Sequence, residues 1–230
     1  MTEETNIVPE TCPDADDGEA KVRGHRRKDR ELAIIAAAMD EFCAAGLTNA
    51  RLDDIAARAG VAKGTLYLYF ENKEELFKAI VREHLVPAIQ RAEERAETHG
   101  GSSRELLREL VHSRWDMMVH SPLSGVPKLV LSEAGQFPDL VRYFHDEIIV
   151  RSHALFARVL RTGVERGEFR NLDVDYVTKA LMAPLIVAAL WKHSIQPYIT
   201  QRMDTEKYFD TSLDMLLDGL AAPAAGGTSR

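Results

Sequence analysis

The sequence has little cysteine and no long uninterrupted apolar run. Its two cysteines, Cys12 and Cys43, lie in a polar segment and in an apolar helical pattern, so they suggest no disulfide framework and favour a reducing compartment. The longest apolar run, residues 182–191, is too short to span a bilayer and contains Pro184. The N-terminus is acidic and lacks the apolar core of a signal peptide. We therefore expect a cytoplasmic protein with no membrane partner.

The motifs of common enzyme classes are also missing. The sequence contains no HExxH, no phosphate-binding glycine loop, no nucleophile elbow and no pair of carboxylate metal motifs on two helices. The histidine pairs 112/120 and 145/153 are eight residues apart without a nearby cysteine, which is a weak pattern for metal ligands. We expect no enzyme activity, no cofactor and no bound metal.

Helical periodicity covers most of the chain. The 230 residues are 45% hydrophobic and 28% charged, as in a soluble globular protein, and no segment alternates as a strand does. The pattern predicts an all-α protein with a three-helix unit at residues 21–83, a larger helical domain at 84–220 and disordered tails at 1–20 and 221–230. Among the predicted helices are residues 138–164, 176–193 and 205–220, and Pro87 is expected to kink a helix or begin a new one.

The negative charge is concentrated at one end. Residues 1–20 carry a net charge of −7, whereas residues 21–83 carry +2 and residues 84–230 carry −2. The run KVRGHRRKDR at residues 21–30 holds six Lys or Arg side chains. Such a cluster gives a local footprint for a polyanion even in an acidic chain, although a solvated flank would look the same.

The stretch GVAKGTLYLYFENKEELF, residues 60–77, is unusual for a helix that only has to fold. Gly64 costs about 1 kcal/mol relative to alanine in a helix interior, and Tyr67 and Tyr69 are two residues apart, so they face different ways. Together with residues 52–59, the stretch fits a helix-turn-helix in which Leu66 and Phe70 face the core. The outward residues suit DNA, since they combine a cation, a close-approach glycine and hydroxyls that reach phosphate: Lys63, Gly64, Thr65, Tyr67 and Tyr69.

Residues 30–77 resemble the DNA-binding domain of the TetR (tetracycline-repressor-like) family of transcriptional regulators. The resemblance rests on the ungapped run AAGLTNARLDDIAARAGVAKGTLYLYFENKEELF. It implies a homodimer that places two recognition helices on a partly palindromic operator. It also implies recognition-helix contacts at the five residues named above, a phosphate contact at Lys73, and an arm formed by Arg26, Arg27 and Lys28 before the first helix.

The cap of the second helix departs from the family pattern. The family usually has Thr or Ser at this point, whereas this chain has Ala50 and Arg51. Ala50 cannot cap, so Thr48 or Asn49 is expected to do so. Arg51 is placed to reach a phosphate, and we hypothesise that it strengthens non-specific DNA binding.

The resemblance also implies that the C-terminal domain holds an effector pocket and the dimer interface. The apolar run at 182–191 and the leucine stripe of the last helix, residues 213, 216, 217 and 220, suggest an intermolecular four-helix bundle, although both could instead fill the core of one chain. A mostly apolar pocket would suit a hydrophobic effector. Large apolar residues of the central segments are candidate pocket linings, although such residues are more often plain core: Trp115, Met118, Phe137, Phe144, Phe156, Met182 and Trp191.

The sequence thus predicts a transcriptional regulator, most simply a repressor that a small hydrophobic effector releases from its operator. Two alternatives remain open at this point. One is a helical adaptor that binds protein, and the other is an enzyme built on a helical bundle. Binding to duplex DNA that weakens with salt would separate the regulator from both.

Overall fold

The computed structural model describes residues 16–223, with side chains from residue 25 onward. Within that range the chain is all-α, which confirms the predicted fold class, and one isolated bridge pairs Phe169 with Ala221. The helices are α1 (Asp16–Asn49), α2 (Leu52–Arg58), α3 (Lys63–Tyr67), α4 (Lys73–Ile80), α5 (Val86–Thr98), α6 (Ser103–Trp115), α7 (Val126–Glu133), α8 (Pro138–Phe144), α9 (Arg151–Glu165), α10 (Val174–Leu190) and α11 (Thr205–Leu220). We refer to α1–α4 as the N-terminal half and to α5–α11 as the C-terminal half.

Helix α1 is longer than the apolar pattern predicted. It begins at Asp16, inside the range predicted as an acidic tail, and it includes the basic run at residues 21–30. That run therefore lies within the first helix and not before it. Gly46, with φ 79°, kinks α1 near its end, in a conformation that glycine adopts without strain. The rest of the two predicted tails, residues 1–15 and 224–230, lies outside the described residues.

Several helices are joined by π-helical turns instead of loops. Helix α4 passes into α5 through such a turn at Val81–Leu85, where the Val86 N–H donates to the Val81 carbonyl. Pro87 follows in the first turn of α5, where a missing N–H is tolerated, so the chain continues as a new helix. The helix predicted at 138–164 is divided in the same way into α8, a π-helical turn at His145–Val150, and α9.

Two apolar cores hold the described chain together. The first combines α1–α4 with side chains from α5, α7 and α8, including Phe42, Ile55, Leu66, Phe77, Leu129 and Leu140. It therefore crosses the boundary predicted at residues 83/84, and the N-terminal half is packed directly on α7 and α8. The second core joins α6, α9, α10 and α11, including Trp115, Phe156, Leu185, Phe209 and Leu217.

The leucine stripe of α11 faces its own chain. Leu213, Leu217 and Leu220 are buried in the second core and Leu216 packs against it, so the stripe is not free to form an intermolecular bundle as predicted. Helical spacing of leucines serves an internal core as well as an interface, which is why the pattern alone could not decide. The exposed apolar residue of α11 is Met215, with 72% of its surface accessible.

Helix α10 is apolar on two sides. One face, including Leu181, Leu185 and Ala188, is buried in the second core, whereas Ile186 and Val187 are exposed on the other. With the turns that follow it, the helical stretch Val174–Tyr198 has a mean hydropathy of 1.4 in its most apolar window, of which 28% is buried. Within the described part of the chain this is the one helix long and apolar enough to cross a membrane, a length that the apolar run in the sequence did not suggest.

Candidate DNA-binding surface and ligand cavity

Helices α2 and α3 form a tight helix-turn-helix. Gly60, with φ 67°, lies at the turn between them, where a side chain would be strained. Ile55 and Ala56 of α2 and Leu66 of α3 are buried in the first core, and Phe70 closes the unit behind α3. One face of α3 is thereby fixed, and the opposite face is presented to solvent.

The solvent face of α3 carries most of the residues predicted to contact DNA. Lys63 and Gly64 are exposed, Thr65 is half-buried, and Tyr67 has 46% of its surface accessible. A Cβ atom added to Gly64 would meet no described atom within 4 Å. The fold therefore does not require glycine at this position, and the helix would be more stable with alanine.

Lys63 has an acidic neighbour in the unliganded protein. Its Nζ lies 2.8 Å from Oδ1 of Asp53, which belongs to the first turn of α2, and both side chains are largely exposed. This ion pair joins the two helices of the motif. It also raises the pKa of Lys63, chiefly through the hydrogen bond to Asp53, so the lysine stays charged and can exchange the carboxylate for a phosphate oxygen.

Tyr69 is not on the solvent face with the others. It is half-buried against the first core, its hydroxyl donates to the Arg27 carbonyl at 3.3 Å, and the Arg27 guanidinium lies 5.8 Å from the centre of its ring. The sequence grouped Tyr69 with the outward residues, whereas the structure uses it to join the recognition helix to α1. Tyr69 lies beyond the last residue of α3, so a straight helical projection misplaced it.

The basic residues of α1 flank the recognition helix. The Arg27–Tyr69 contact brings this part of α1 beside α3, and Arg26, Arg27 and Lys28 are all exposed. The Nζ of Lys28 donates to Oε1 of Glu83 at 2.8 Å, an interaction that raises its pKa. Arg27 thus places a positive charge beside the end of α3 from this side.

Lys73 is used inside the protein. Its Nζ donates to the carbonyl oxygens of Leu47 and Thr48 at 2.6 and 2.8 Å, at the C-terminal end of α1. A cation at this position satisfies carbonyls that the helix end leaves unpaired. Asn72 caps α4, because its side chain accepts a hydrogen bond from the Glu75 N–H.

The expected cap of α2 is not formed. Neither Thr48 nor Asn49 caps the helix: the N-cap residue is Arg51, and no side chain of the described residues bonds to this helix end. Asn49 donates to the Ala45 carbonyl instead, and the hydroxyl of Thr48 donates to Glu133. The side chain of Asn49 therefore bonds within α1 and that of Thr48 bonds to α7, and neither reaches the first turn of α2. Arg51 is exposed in extended backbone, with its side chain free to meet a phosphate.

Leu68 is a surface residue that the sequence analysis did not single out. It follows α3 directly and has 80% of its surface accessible, between Tyr67 and Tyr69. An apolar side chain so exposed suits contact with a thymine methyl group in the major groove. The signal was present in the sequence, because Leu68 is two positions from the buried Leu66 and so faces away from it.

The C-terminal half contains a cavity of about 500 Å³ between α5, α6 and α9. Part of its lining is apolar, from Leu110, Met117, Leu123, Leu155 and Phe156, and part is polar or charged, from His84, Arg91, Arg95, Glu109, Arg114 and Asp116. A volume of this order suits a small-molecule ligand. Among the described residues no three His, Cys, Asp or Glu side chains are grouped as a metal site would require.

The predicted pocket residues are dispersed, and of the seven only Phe156 lines this cavity. Trp115 is buried in the second core, where it stacks on Phe209 at 4.3 Å and its indole N–H donates to Glu206. Met118 and Met182 pack against the same core, whereas Phe137 and Phe144 pack against the first. Trp191 lies in the turn after α10, and its indole nitrogen is buried without a partner in the described part of the chain.

Comparison with known proteins agrees with this geometry. Residues 34–80 match the family of bacterial regulatory proteins named tetR, and residues 97–203 match the tetracyclin repressor-like C-terminal domain. The chain is 32% identical to the HTH-type transcriptional repressor KstR2 of Rhodococcus jostii over 222 residues, which cover 93% of this chain and 98% of that protein.

The chain belongs to the TetR family. It is therefore a DNA-binding transcriptional regulator with a helical C-terminal domain, and the adaptor and enzyme alternatives are excluded.

Solved structures of other transcriptional regulators share the fold. KstR2 of Mycobacterium tuberculosis, described as a ketosteroid transcriptional regulator, covers 84% of this chain at 22% identity with a TM-score of 0.65, and 96% of that chain is matched. FadR of Bacillus subtilis, solved in complex with stearoyl-CoA, covers 82% of this chain at 22% identity with a TM-score of 0.65, and 98% of that chain is matched.

A polar contact joins the two halves of this TetR regulator. Glu133, at the end of α7, is 8% exposed, and its carboxylate accepts from the hydroxyl of Thr48 at 2.5 Å and from the Thr48 N–H at 3.4 Å. Lys73 holds the carbonyl of the same Thr48 from the other side. Thr48 therefore connects the end of α1, directly before the helix-turn-helix, to a helix of the C-terminal half.

Proposed function

We propose that the protein is a homodimeric repressor that binds a partly palindromic operator and leaves it when a small hydrophobic effector occupies the cavity between α5, α6 and α9. The observation that carries the DNA-binding surface is Gly64. It is a helical glycine that the fold does not need, on the solvent face of the recognition helix. A missing Cβ there allows the backbone to approach a base edge or a phosphate.

The proposed DNA contacts divide into two kinds. Gly64, Thr65, Tyr67 and Leu68 face the bases, because they lie on or directly after the exposed side of α3. The phosphate contacts come from cations around this face: Arg26, Arg27, Lys28, Arg51, Lys63 and Lys73. Tyr69 supports this surface through Arg27, and any phosphate contact of Lys73 has to coexist with its bonds to the end of α1.

The exposed face of α10 supports a homodimer. Tyr176, Ile186 and Val187 of α10 and Met215 of α11 are exposed in the single chain, and Ile195, Tyr198 and Ile199 continue the apolar surface. A second copy that covers this surface would form an isologous interface from α10 and α11. A dimer also supplies the two recognition helices that two half-sites about 34–36 Å apart require.

The walls of the cavity and the relatives support a hydrophobic effector. FadR of Bacillus subtilis was solved with stearoyl-CoA, and a structure of AibR contains isovaleryl coenzyme A and operator DNA. Glu133 offers the last step of a route from the cavity to the operator, since the cavity-lining Leu123 lies in the turn directly before α7 and Glu133 links α7 to the end of α1. A shift of α7 would change the position of Thr48, and with it the spacing of the two recognition helices. We infer that this takes place in the bacterial cytoplasm, where operator DNA is found.

Binding to the DNA upstream of the protein's own gene tests this function. In a fluorescence-anisotropy titration the full-length protein should bind this duplex far more tightly than a scrambled duplex of equal length, and stearoyl-CoA should lower the affinity. Sedimentation velocity should give the mass of a dimer. Equal affinity for both duplexes at all salt concentrations would contradict sequence-specific binding to an operator. A protein that is monomeric and still binds the operator duplex with full affinity would contradict the homodimer.

A further inference from the structure

Arg114 is the unusual residue of the cavity. It lies near the end of α6 with its side chain half-buried and its guanidinium enclosed by protein atoms, and it lines the cavity together with Phe156. Its guanidinium donates to the hydroxyl of Ser152 at 2.6 Å. Among the described residues, no carboxylate oxygen lies within 4.0 Å of a guanidinium nitrogen of Arg114, the distance that defines an ion pair. A guanidinium has five N–H donors, so one neutral hydroxyl leaves most of its capacity and all of its charge uncompensated.

The other arginines of α6 behave differently. Arg104 pairs with Asp218 at 2.7 Å and Arg108 pairs with Asp214 at 3.0 Å, both near the surface. Across the cavity, Arg95 donates twice to the carboxylate of Glu109, at 2.5 and 2.8 Å. Arg114 is thus the arginine of this helix that combines burial with the lack of an acidic partner among the described residues.

Burial of this charge is costly to the unliganded protein. Removal from water lowers the pKa of Arg114 to about 10, and no neighbouring charge offsets the effect. A buried charge without a partner destabilises a fold, and a side chain of similar length without charge would normally serve better. The arrangement is understandable if a molecule that enters the cavity brings the missing negative charge.

We propose that the cavity binds an amphiphile with an anionic group, a carboxylate or a phosphate, and that this group pairs with Arg114. The apolar part of the molecule then lies along Leu110, Leu155 and Phe156. The exposed Arg91 lines the same cavity and attracts anions to it, whereas Arg95 is paired with Glu109. The proposal rests on the proposed function in one respect, since it names the chemical class of the effector for the same cavity.

The first test needs no ligand. The variant Arg114→Met keeps the length of the side chain and removes its charge, and Arg158→Met, an exposed arginine of α9 paired with Glu97, is the matched control. We expect the melting temperature of Arg114→Met to equal or exceed that of the wild type, by about 2–4 °C if the removed cost is near 1 kcal/mol. A fall of several degrees, with no change in the control, would show that Arg114 is held for stability, and would overturn the proposal.

The second test uses three probes of equal chain length, in the absence of DNA. Palmitate, palmitoyl-CoA and hexadecanol are titrated into the wild type, Arg114→Met and Arg114→Lys, with binding followed by the change in tryptophan fluorescence and by calorimetry. We expect at least one of the two anions to bind the wild type at least about 10-fold more tightly than hexadecanol, the equivalent of one ion pair worth about 1.4 kcal/mol. Arg114→Met should lose this preference and Arg114→Lys should retain part of it.

The three probes distinguish a carboxylate from a phosphate as the anionic group. They also distinguish failure of this proposal from failure of the proposed function. Tighter binding of palmitate identifies a carboxylate, and tighter binding of palmitoyl-CoA identifies the phosphates. Equal affinity for the anions and hexadecanol, no binding of any probe, or an unchanged preference in Arg114→Met would each overturn the proposal. Because no DNA is present, these results are independent of operator binding, whose loss would instead contradict the proposed function.

Discussion

The two halves of the molecule carry their functional charges in opposite ways. In the N-terminal half, cations such as Lys63 and Lys28 are exposed, and their acidic partners are partly accessible as well. In the C-terminal half Arg114 is buried against a single hydroxyl. An exposed cation can exchange its acidic partner for a phosphate at little cost in free energy. A buried cation without an acidic partner is stabilised only by a ligand whose negative charge fits that place. We therefore expect the phosphate contacts to DNA to depend strongly on salt and the proposed effector contact to select one class of ligand.

The comparison predicts first that Gly64 is needed for operator affinity and not for the stability of the fold. Gly64→Ala should lower operator affinity by about 10–100-fold, because a methyl group at a close-packed interface costs about 1–3 kcal/mol. It should also raise the free energy of unfolding by up to about 1 kcal/mol. Anisotropy and urea unfolding measure the two quantities. Gly219→Ala, a change at a helical glycine of α11 with equally open surroundings, should leave operator affinity unaltered. If both variants bind DNA as tightly as the wild type does, the proposed close approach of DNA at Gly64 is wrong.

The second prediction concerns the contact between the halves. Glu133→Ala should destabilise the protein by about 1–3 kcal/mol, since the N–H and hydroxyl of Thr48 lose their acceptor in a largely buried place. It should also weaken the response of operator binding to the effector. Chemical unfolding and operator titrations with and without stearoyl-CoA measure these effects.

Thr48→Val is the matched variant, because it removes the hydroxyl and keeps the N–H. A double-mutant cycle of the two substitutions should give a coupling energy of about 0.5–3 kcal/mol. Additive effects on stability together with an undiminished effector response would contradict a role for this contact in coupling.

The third prediction separates the two tyrosines. Tyr69→Phe should cost about 0.5–1.5 kcal/mol of stability, because its hydroxyl donates to the Arg27 carbonyl. Tyr67→Phe should leave stability unchanged and weaken operator binding several-fold, since its hydroxyl is free for a phosphate or base. Thermal unfolding and anisotropy distinguish the two outcomes. The reverse assignment, with stability lost at Tyr67, would place the wrong tyrosine in the DNA contact.

The smallest effect is expected at the ion pair of α2 and α3. Asp53→Asn frees Lys63 and removes a negative charge from the DNA-facing side, so operator affinity should rise a few-fold at low salt. Lys63→Met should lower affinity and reduce the slope of log affinity against log salt by about one phosphate contact. Titrations between roughly 50 and 200 mM salt measure both. Identical slopes for the wild type and Lys63→Met would exclude a phosphate contact at this residue.

The sequence was sufficient for most of the N-terminal half and for little of the cavity. The motif from Gly60 to Phe77 predicted the buried Leu66 and Phe70 and the exposed Gly64 and Tyr67, because these positions follow from helical geometry over one short unit. It misplaced Tyr69 and the cap of α2, since both depend on contacts with α1 and α7 that are distant in the sequence.

The cavity depends entirely on such distant contacts. Large apolar side chains such as Trp115 and Phe144 have the same spacing whether they line a pocket or fill a core, and the structure places both in cores. Arg114 could not be recognised, because a helix with three arginines gives no sign of which one lacks an acidic partner. Arg104 and Arg108 differ from Arg114 only because Asp218 and Asp214 of α11 lie close enough to pair with them, and this depends on the fold.

The central claim is that an anion bound at Arg114 releases operator DNA held by α3. The most direct measurement is the affinity for the operator duplex at a fixed salt concentration, for the wild type and Arg114→Met, with and without a saturating concentration of the anion, palmitate or palmitoyl-CoA, that binds the wild type more tightly. The account predicts that both proteins bind the duplex equally well alone, and that this anion releases the wild type but leaves Arg114→Met bound. Equal release of both proteins, or no release of the wild type, would contradict it.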